Sequence, residues 1–218
     1  MNPNPALAHV GAVACPLEFA GATRARLPLP VNGDAFVIER FRGGALVAVF
    51  DGMGHGERAY RATEVAVRCL RSHPEEPLDV LFRAVAKACR STDGVFLAAA
   101  RFEFANRITF QFASIGNIES RLCVPASMPD RPPKMETLIV RRGTLGGSAP
   151  DPYVTSHVWA PGSVLILHSD GVVARWGIVE FRETRFDTAA DMAQAMLDRL
   201  AIENDDATLV VVREMPHL

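Results

Sequence analysis

The chain has 218 residues, of which 49% are hydrophobic and 22% charged, enough to bury one sizeable core in a globular fold. A formal net charge of −2 lacks the basic footprint of a nucleic-acid binder. No apolar run approaches a membrane span and "MNPNPALAHVGAVAC" has no positive leader region, so the chain reads as a cytoplasmic protein without membrane contact.

Strands come first. "HVGAVAC" (9–15), "DAFVIER" (34–40) and "ALVAVF" (45–50) are apolar or alternating runs, and Arg42, Gly43 and Gly44 turn the last two into a hairpin. Two helical patterns follow. Residues 57–72 place Ala62, Val65, Ala66, Cys69 and Leu70 on one face; 77–91 open on Pro77 and repeat Leu78, Leu81, Phe82, Val85 and Cys89. The short connection between them predicts an antiparallel pair. A second hairpin is expected from "VFLAAARFEF" and "RITFQFASIG", joined at "ANR". Further strands are predicted at 120–125, 136–142, 163–169 and 207–214, with a proline-rich exposed loop at 126–135 and an amphipathic helix at 188–202 capped by Thr188. Runs of strands interrupted by a helical pair predict an α+β fold of antiparallel sheets covered by helices, in a single domain over 1–218. Cys15, Cys69, Cys89 and Cys123 form no C-x-x-C pair and read as reduced, mostly buried thiols.

Aspartates recur where apolar strands stop. Asp34 starts one strand, Asp51 ends another before Gly52, Asp170 ends a third before Gly171, and Asp205 and Asp206 precede the last. A carboxylate there is held by a rigid sheet yet faces a cleft, and an adjacent glycine lets the backbone approach a ligand. Each Asp-Gly alone reads as a turn, and "DGMGHG" alone reads as a phosphate cradle at a helix start. Several carboxylates converging without cationic partners would repel one another, and bound cations resolve that. An all-oxygen donor set suits Mg²⁺ or Mn²⁺ rather than Zn²⁺. Two such ions would activate a water and clamp a phosphoryl group for in-line displacement.

These segments resemble the metal-dependent type-2C (PPM) protein serine/threonine phosphatases, in particular their bacterial sporulation and stress-response branch. The motifs are "NGDAFVIE" (32–39), "VAVFDGMGHGERA" (47–59), "SIGNIE" (114–119), "PGSVLILHSDGV" (161–172) and "NDDATLVVV" (204–212), in the family's order. The small size is most similar to the stand-alone RsbX-type phosphatases. The resemblance implies a four-layer αββα sandwich, two mainly antiparallel sheets between helix layers. It implies Mn²⁺ or Mg²⁺ as two ions, Asp51 bridging them, the Gly52 carbonyl on the second, and Asp170 and Asp205 on the first. Asp34 would act through a water on the metal, and Asp206 would support the site. The substrate class implied is a phosphorylated STAS-domain protein of the stressosome, acted on by a monomer or weak dimer.

Many relatives carry a histidine directly after the Asp-Gly; here Met53 stands there and His55 follows two residues later as the candidate general acid. His168 on an apolar strand reads as a core histidine. Asp93 reads as part of a hairpin turn, with a third, weaker metal as the alternative. Arg24 and Arg26 are surface arginines without an assigned role. Two other functions fit the same residues: a non-catalytic partner-binding module of this fold, and a metal-dependent phosphoesterase acting on small molecules.

Overall fold

The computed structural model describes residues 16–126, 133–176 and 186–215. In chain order, the elements begin with strands β1 (Leu17–Arg24), β2 (Asp34–Phe41) and β3 (Gly44–Gly52), then helices α1 (Glu57–Arg71) and α2 (Leu78–Ala88). Strands β4 (Val95–Phe104), β5 (Ile108–Ile115), β6 (Glu119–Val124), β7 (Lys134–Thr137), β8 (Thr155–Val158) and β9 (Val164–His168) come next. Helix α3 (Ala189–Leu200) and strand β10 (Ala207–Glu214) complete the order. One five-stranded sheet runs β1-β10-β9-β6-β7 and the other β2-β3-β4-β5-β8, with antiparallel pairing between neighbours in both.

Side-chain alternation divides the apolar residues into three layers of core. Ala45, Val47 and Val49 of β3 point between the sheets, with Leu165, Leu167, Val210 and Val212 opposite them. Leu46, Ala48 and Phe50 point the other way, onto α1 and α2 through Ala62, Leu70, Phe82 and Val85. The far face of the first sheet, Ile166, Leu209 and Val211, is covered by Met192, Ala193 and Met196 of α3. The layers are therefore helix, sheet, sheet, helix. Because β3 is covered on both faces, every one of its residues is buried, and its sequence is an unbroken apolar run rather than an alternation. Among the described residues no helix is long and apolar enough to cross a membrane.

The two hairpins, the antiparallel helix pair and the Thr188 cap stand as the sequence predicts, the Thr188 hydroxyl accepting from the Asp191 N–H at 3.1 Å. The expected strand at 9–15 lies outside the described residues, as does Cys15. Three differences concern edges. The strand β1 was not among the expected ones: Gly21 breaks its apolar pattern, yet a Cβ there would lie 2.6 Å from the Phe36 ring, so glycine is what lets the two sheets close. The expected strand 136–142 is only β7, starting inside the predicted loop at Lys134 and ending at Thr137. Short β8 is an edge strand whose residues alternate half-buried and exposed, too brief to leave a periodic signal.

Candidate metal centre

The register of β2 on β3 sets Asp34 directly opposite Asp51. Both belong to the sides of their strands that face the other sheet, so at this end of the sandwich two carboxylates take the place that Phe36, Ile38, Val47 and Val49 occupy deeper in. From the opposite sheet come Ser169 and Asp170 after β9 and Asp205 and Asp206 before β10, brought together because those strands are antiparallel neighbours. Tertiary pairing of four strand ends thus gathers residues that lie up to 172 positions apart in the sequence.

Hydrogen bonds fix the arrangement. The Ser169 hydroxyl donates to Asp34 Oδ2 at 2.6 Å and accepts from the Thr208 N–H at 3.0 Å. The Asn117 amide donates to Asp51 at 3.0 Å and to Asp170 at 2.7 Å. Asp206 is buried and faces inward to the backbone: its two oxygens accept from the Arg26 N–H at 2.8 Å and the Gly33 N–H at 3.0 Å. Gly33 in turn accepts from the Gly52 N–H at 3.1 Å and the Thr63 hydroxyl at 2.5 Å, tying the Asp51-Gly52 tip to the start of β2 and to α1. A side chain at Gly52 would strike the Ala59 carbonyl at 2.4 Å, so glycine is required where α1 crosses the strand end. At Gly171 a Cβ would meet the Asp206 carbonyl at 1.8 Å.

The electrostatics are those of a cation site. Burial raises Asp34 well above the usual carboxylate range, and the neighbouring Asp51 charge adds to it. Burial, then the Asp170 charge, pushes Asp51 up to about 7. Asp205 is raised by the same two causes, with Arg26 opposing. Among the described residues no arginine, lysine or histidine forms an ion pair with Asp34, Asp51, Asp170 or Asp205. Among the described residues, too, no three acidic, imidazole or thiol groups already surround one point; the Asn117 amide stands between Asp51 and Asp170. The donor set fits a hard divalent cation: unpaired carboxylates, oxygen only, held on rigid strand ends, with burial that a positive charge would offset.

The remaining expected residues are placed as follows. His55 is exposed on the loop between Gly52 and α1, with no hydrogen bond to the carboxylates among the described residues. Asp93 pairs with Arg58 at 2.6 Å, in the turn before β4. Arg24 donates to the Ile202 carbonyl at 2.8 Å, and Arg26 contributes its main chain to Asp206. His168 is a core histidine as expected: its Nδ1 donates to the Ser169 carbonyl at 2.9 Å, and burial lowers its pKa. Cys89 and Cys123 are buried thiols pushed up to about 11 by burial, which makes them poor nucleophiles. Sequence reading missed Asn117 and Ser169 as contacts of the carboxylates. Asn117 follows Gly116 just past the end of β5, so the strand-end argument applied to aspartates would have found it had it been extended to amides.

The sequence profile of the family "Stage II sporulation protein E (SpoIIE)" matches residues 42–214. No curated protein sequence matches the chain. Among solved structures, the chain is similar to one described with the bacterial stressosome, "a modular system that has been adapted to control secondary messenger signaling". That likeness has 27% identity and a TM-score of 0.79, covering 90% of this chain and 99% of the other. It is similar to RsbX in complex with magnesium at 17% identity and a TM-score of 0.78, over 91% and 95% of the two chains. The catalytic domain of the serine/threonine protein phosphatase PstP, in complex with two manganese ions, is similar at 20% identity and a TM-score of 0.68, over 91% and 98%.

Proposed function

The chain belongs to the stage II sporulation protein E family of phosphatase domains, and we propose that, as one domain, it hydrolyses phosphoserine or phosphothreonine with the help of two divalent cations. The observation that carries this reading is the pairing of Asp34 with Asp51 across β2 and β3, buried beside Asp170 and Asp205 with no cationic side chain among the described residues in an ion pair with them. Asp51, the Gly52 carbonyl, Asp170 and Asp205 are the oxygen donors that would hold the cations. When bound, the pair supplies charge neutralisation at the phosphoryl group and an activated water.

The chain's own residues do the rest. Asp34, raised by burial and hydrogen-bonded by Ser169, orients the attacking water by accepting its hydrogen. Asn117 holds Asp51 and Asp170 in a fixed spacing. His55, exposed on the loop after β3, would donate a proton to the leaving seryl oxygen. Magnesium with RsbX and manganese with PstP support these two ions as the candidates. The stressosome likeness and RsbX support a phosphorylated STAS-domain protein as the substrate.

Replacing Asp51 by Ala tests the reading. Hydrolysis of p-nitrophenyl phosphate that depends on Mn²⁺ falls at least ~100-fold in Asp51→Ala, the scale of losing a principal electrostatic contributor. Turnover like that of the wild type in a folded Asp51→Ala protein would overturn it. Comparing a phosphorylated STAS domain with small phosphoesters then tests the substrate class.

A further inference from the structure

Asp170 is exposed, and the chain after it leaves the sheet. On one side that segment is tied to the end of α3: the Val173 N–H donates to the Leu200 carbonyl and the Ile202 N–H to the Gly171 carbonyl, both at 2.8 Å. On the other side, among the described residues, it is anchored by the side chain of Arg121 of β6, which is only 13% exposed.

Its guanidinium donates through Nη2 to the Ala174 carbonyl and through Nη1 to the Trp176 carbonyl. Nη2 also donates to the Glu119 carboxylate at 3.1 Å. The guanidinium lies 4.6 Å from the centroid of the Trp176 ring. The Trp176 indole N–H donates to His168 Nε2 at 3.3 Å, and His168 Nδ1 donates to the Ser169 carbonyl, the residue before Asp170. His168 is opposite Glu119 in the β6–β9 register, so the circuit closes on the strand it starts from. Arg121 therefore reaches both flanks of Asp170: directly at residues 174 and 176, and through Trp176 and His168 at residue 169. Ser169 links the circuit across the sheets as well, its hydroxyl donating to Asp34 at 2.6 Å.

We infer that Arg121 is a positioning residue for Asp170, holding its carboxylate where the proposed cation pair requires it by clamping residues 174–176 to β6. The inference rests on the two-cation reading above. A fork that donates to two carbonyls and stacks on an indole needs a planar guanidinium; a lysine keeps the charge and loses the geometry. Groups that orient a ligand from behind typically change metal affinity ~10–100-fold when removed.

The test measures Mn²⁺ binding by titration calorimetry, with thermal unfolding in EDTA alongside. Arg121→Lys is expected to weaken Mn²⁺ binding ~10-fold or more. Arg101→Lys is the matched control: Arg101 is also mostly buried, donates to the Glu75 carbonyl and to Glu103, and lies over the Phe41 ring, but sits five positions along β4 from Phe96, the partner of Asp51. It is expected to lower the melting temperature and leave Mn²⁺ affinity unchanged. A second readout uses Trp159→Phe, which leaves Trp176 as the sole tryptophan of the chain's two. Its emission should respond to Mn²⁺ with Arg121 present and lose that response in Arg121→Lys. If the wild type binds no Mn²⁺, the two-cation reading fails. If the wild type binds and Arg121→Lys binds equally well, or if Arg101→Lys weakens binding as much, the positioning role fails. Should Arg121→Lys not fold, Trp176→Phe, which removes the indole N–H and keeps a ring under the guanidinium, must weaken Mn²⁺ binding severalfold; unchanged affinity there overturns the inference.

Discussion

Replacing Asp51 by Asn should make the metal-free protein more stable while removing its cation site. In the folded chain the carboxyl is held at about 7 against the usual 3.8, chiefly because it is buried and then because Asp170 is beside it. The folded state therefore keeps a proton through this window that the unfolded chain releases. Stability falls as pH rises from ~4 to ~7 and stays low above that. At ~1.4 kcal/mol per pH unit, ionising this group costs the fold about 4 kcal/mol at most, and about 2–4 kcal/mol once neighbours and water relax. Asn removes the charge and keeps the contacts: its amide oxygen can still accept from Asn117, and its amide nitrogen can donate to Asp170. In EDTA near pH ~8.5 the variant should melt roughly 5–12 °C above the wild type, and the gap should close near pH ~3.5. Mn²⁺ at ~100 times its dissociation constant should stabilise the wild type by about 2.7 kcal/mol and leave the variant unmoved, closing most or all of the gap. Thermal unfolding followed by circular dichroism reads all of these. A variant no more stable than the wild type at high pH, or one equally favoured at both pH values, would show that buried ionisation is not what strains this end of the sandwich.

Two further substitutions separate structural support from the site. Asp206→Ala leaves the N–H groups of Arg26 and Gly33 without their carboxylate acceptor. It should cost about 2–4 kcal/mol in urea unfolding, with Asp206→Asn costing less because one acceptor remains and repulsion toward Asp34 disappears. A cost below that of an ordinary surface substitution would refute the bracing role. Thr188→Ala removes the N-cap of α3, on the far face of the other sheet. About 1 kcal/mol of stability should be lost with Mn²⁺ affinity unchanged, and a change in that affinity would mean that α3 communicates with the carboxylates.

The sequence alone determined the local chemistry and much of the local structure. Period-2 stretches marked β4 and β5, apolar runs marked β2, β3 and β10, helical spacing marked α1, α2 and α3, and turn residues marked both hairpins, because these signals act over a few neighbouring residues. It also placed Asp34, Asp51, Asp170 and Asp205 at strand ends, since a charged residue closing an apolar run is visible in one dimension. What β1 does was hidden, because Gly21 is explained only by the Phe36 ring of the facing sheet. The assignment of Asp206 to backbone support required geometry as well: only the fold shows its oxygens on the Arg26 and Gly33 N–H groups. The bond from Asn117 to both Asp51 and Asp170, and the clamp of Arg121 on residues 174–176, depend on pairings across the first sheet and between the two sheets. Strand order and facing register are set by burial of whole surfaces against each other, an energy that belongs to no single segment. The residues that could hold a cation were therefore legible in the chain, whereas those that hold them in place became identifiable only once the two sheets were packed.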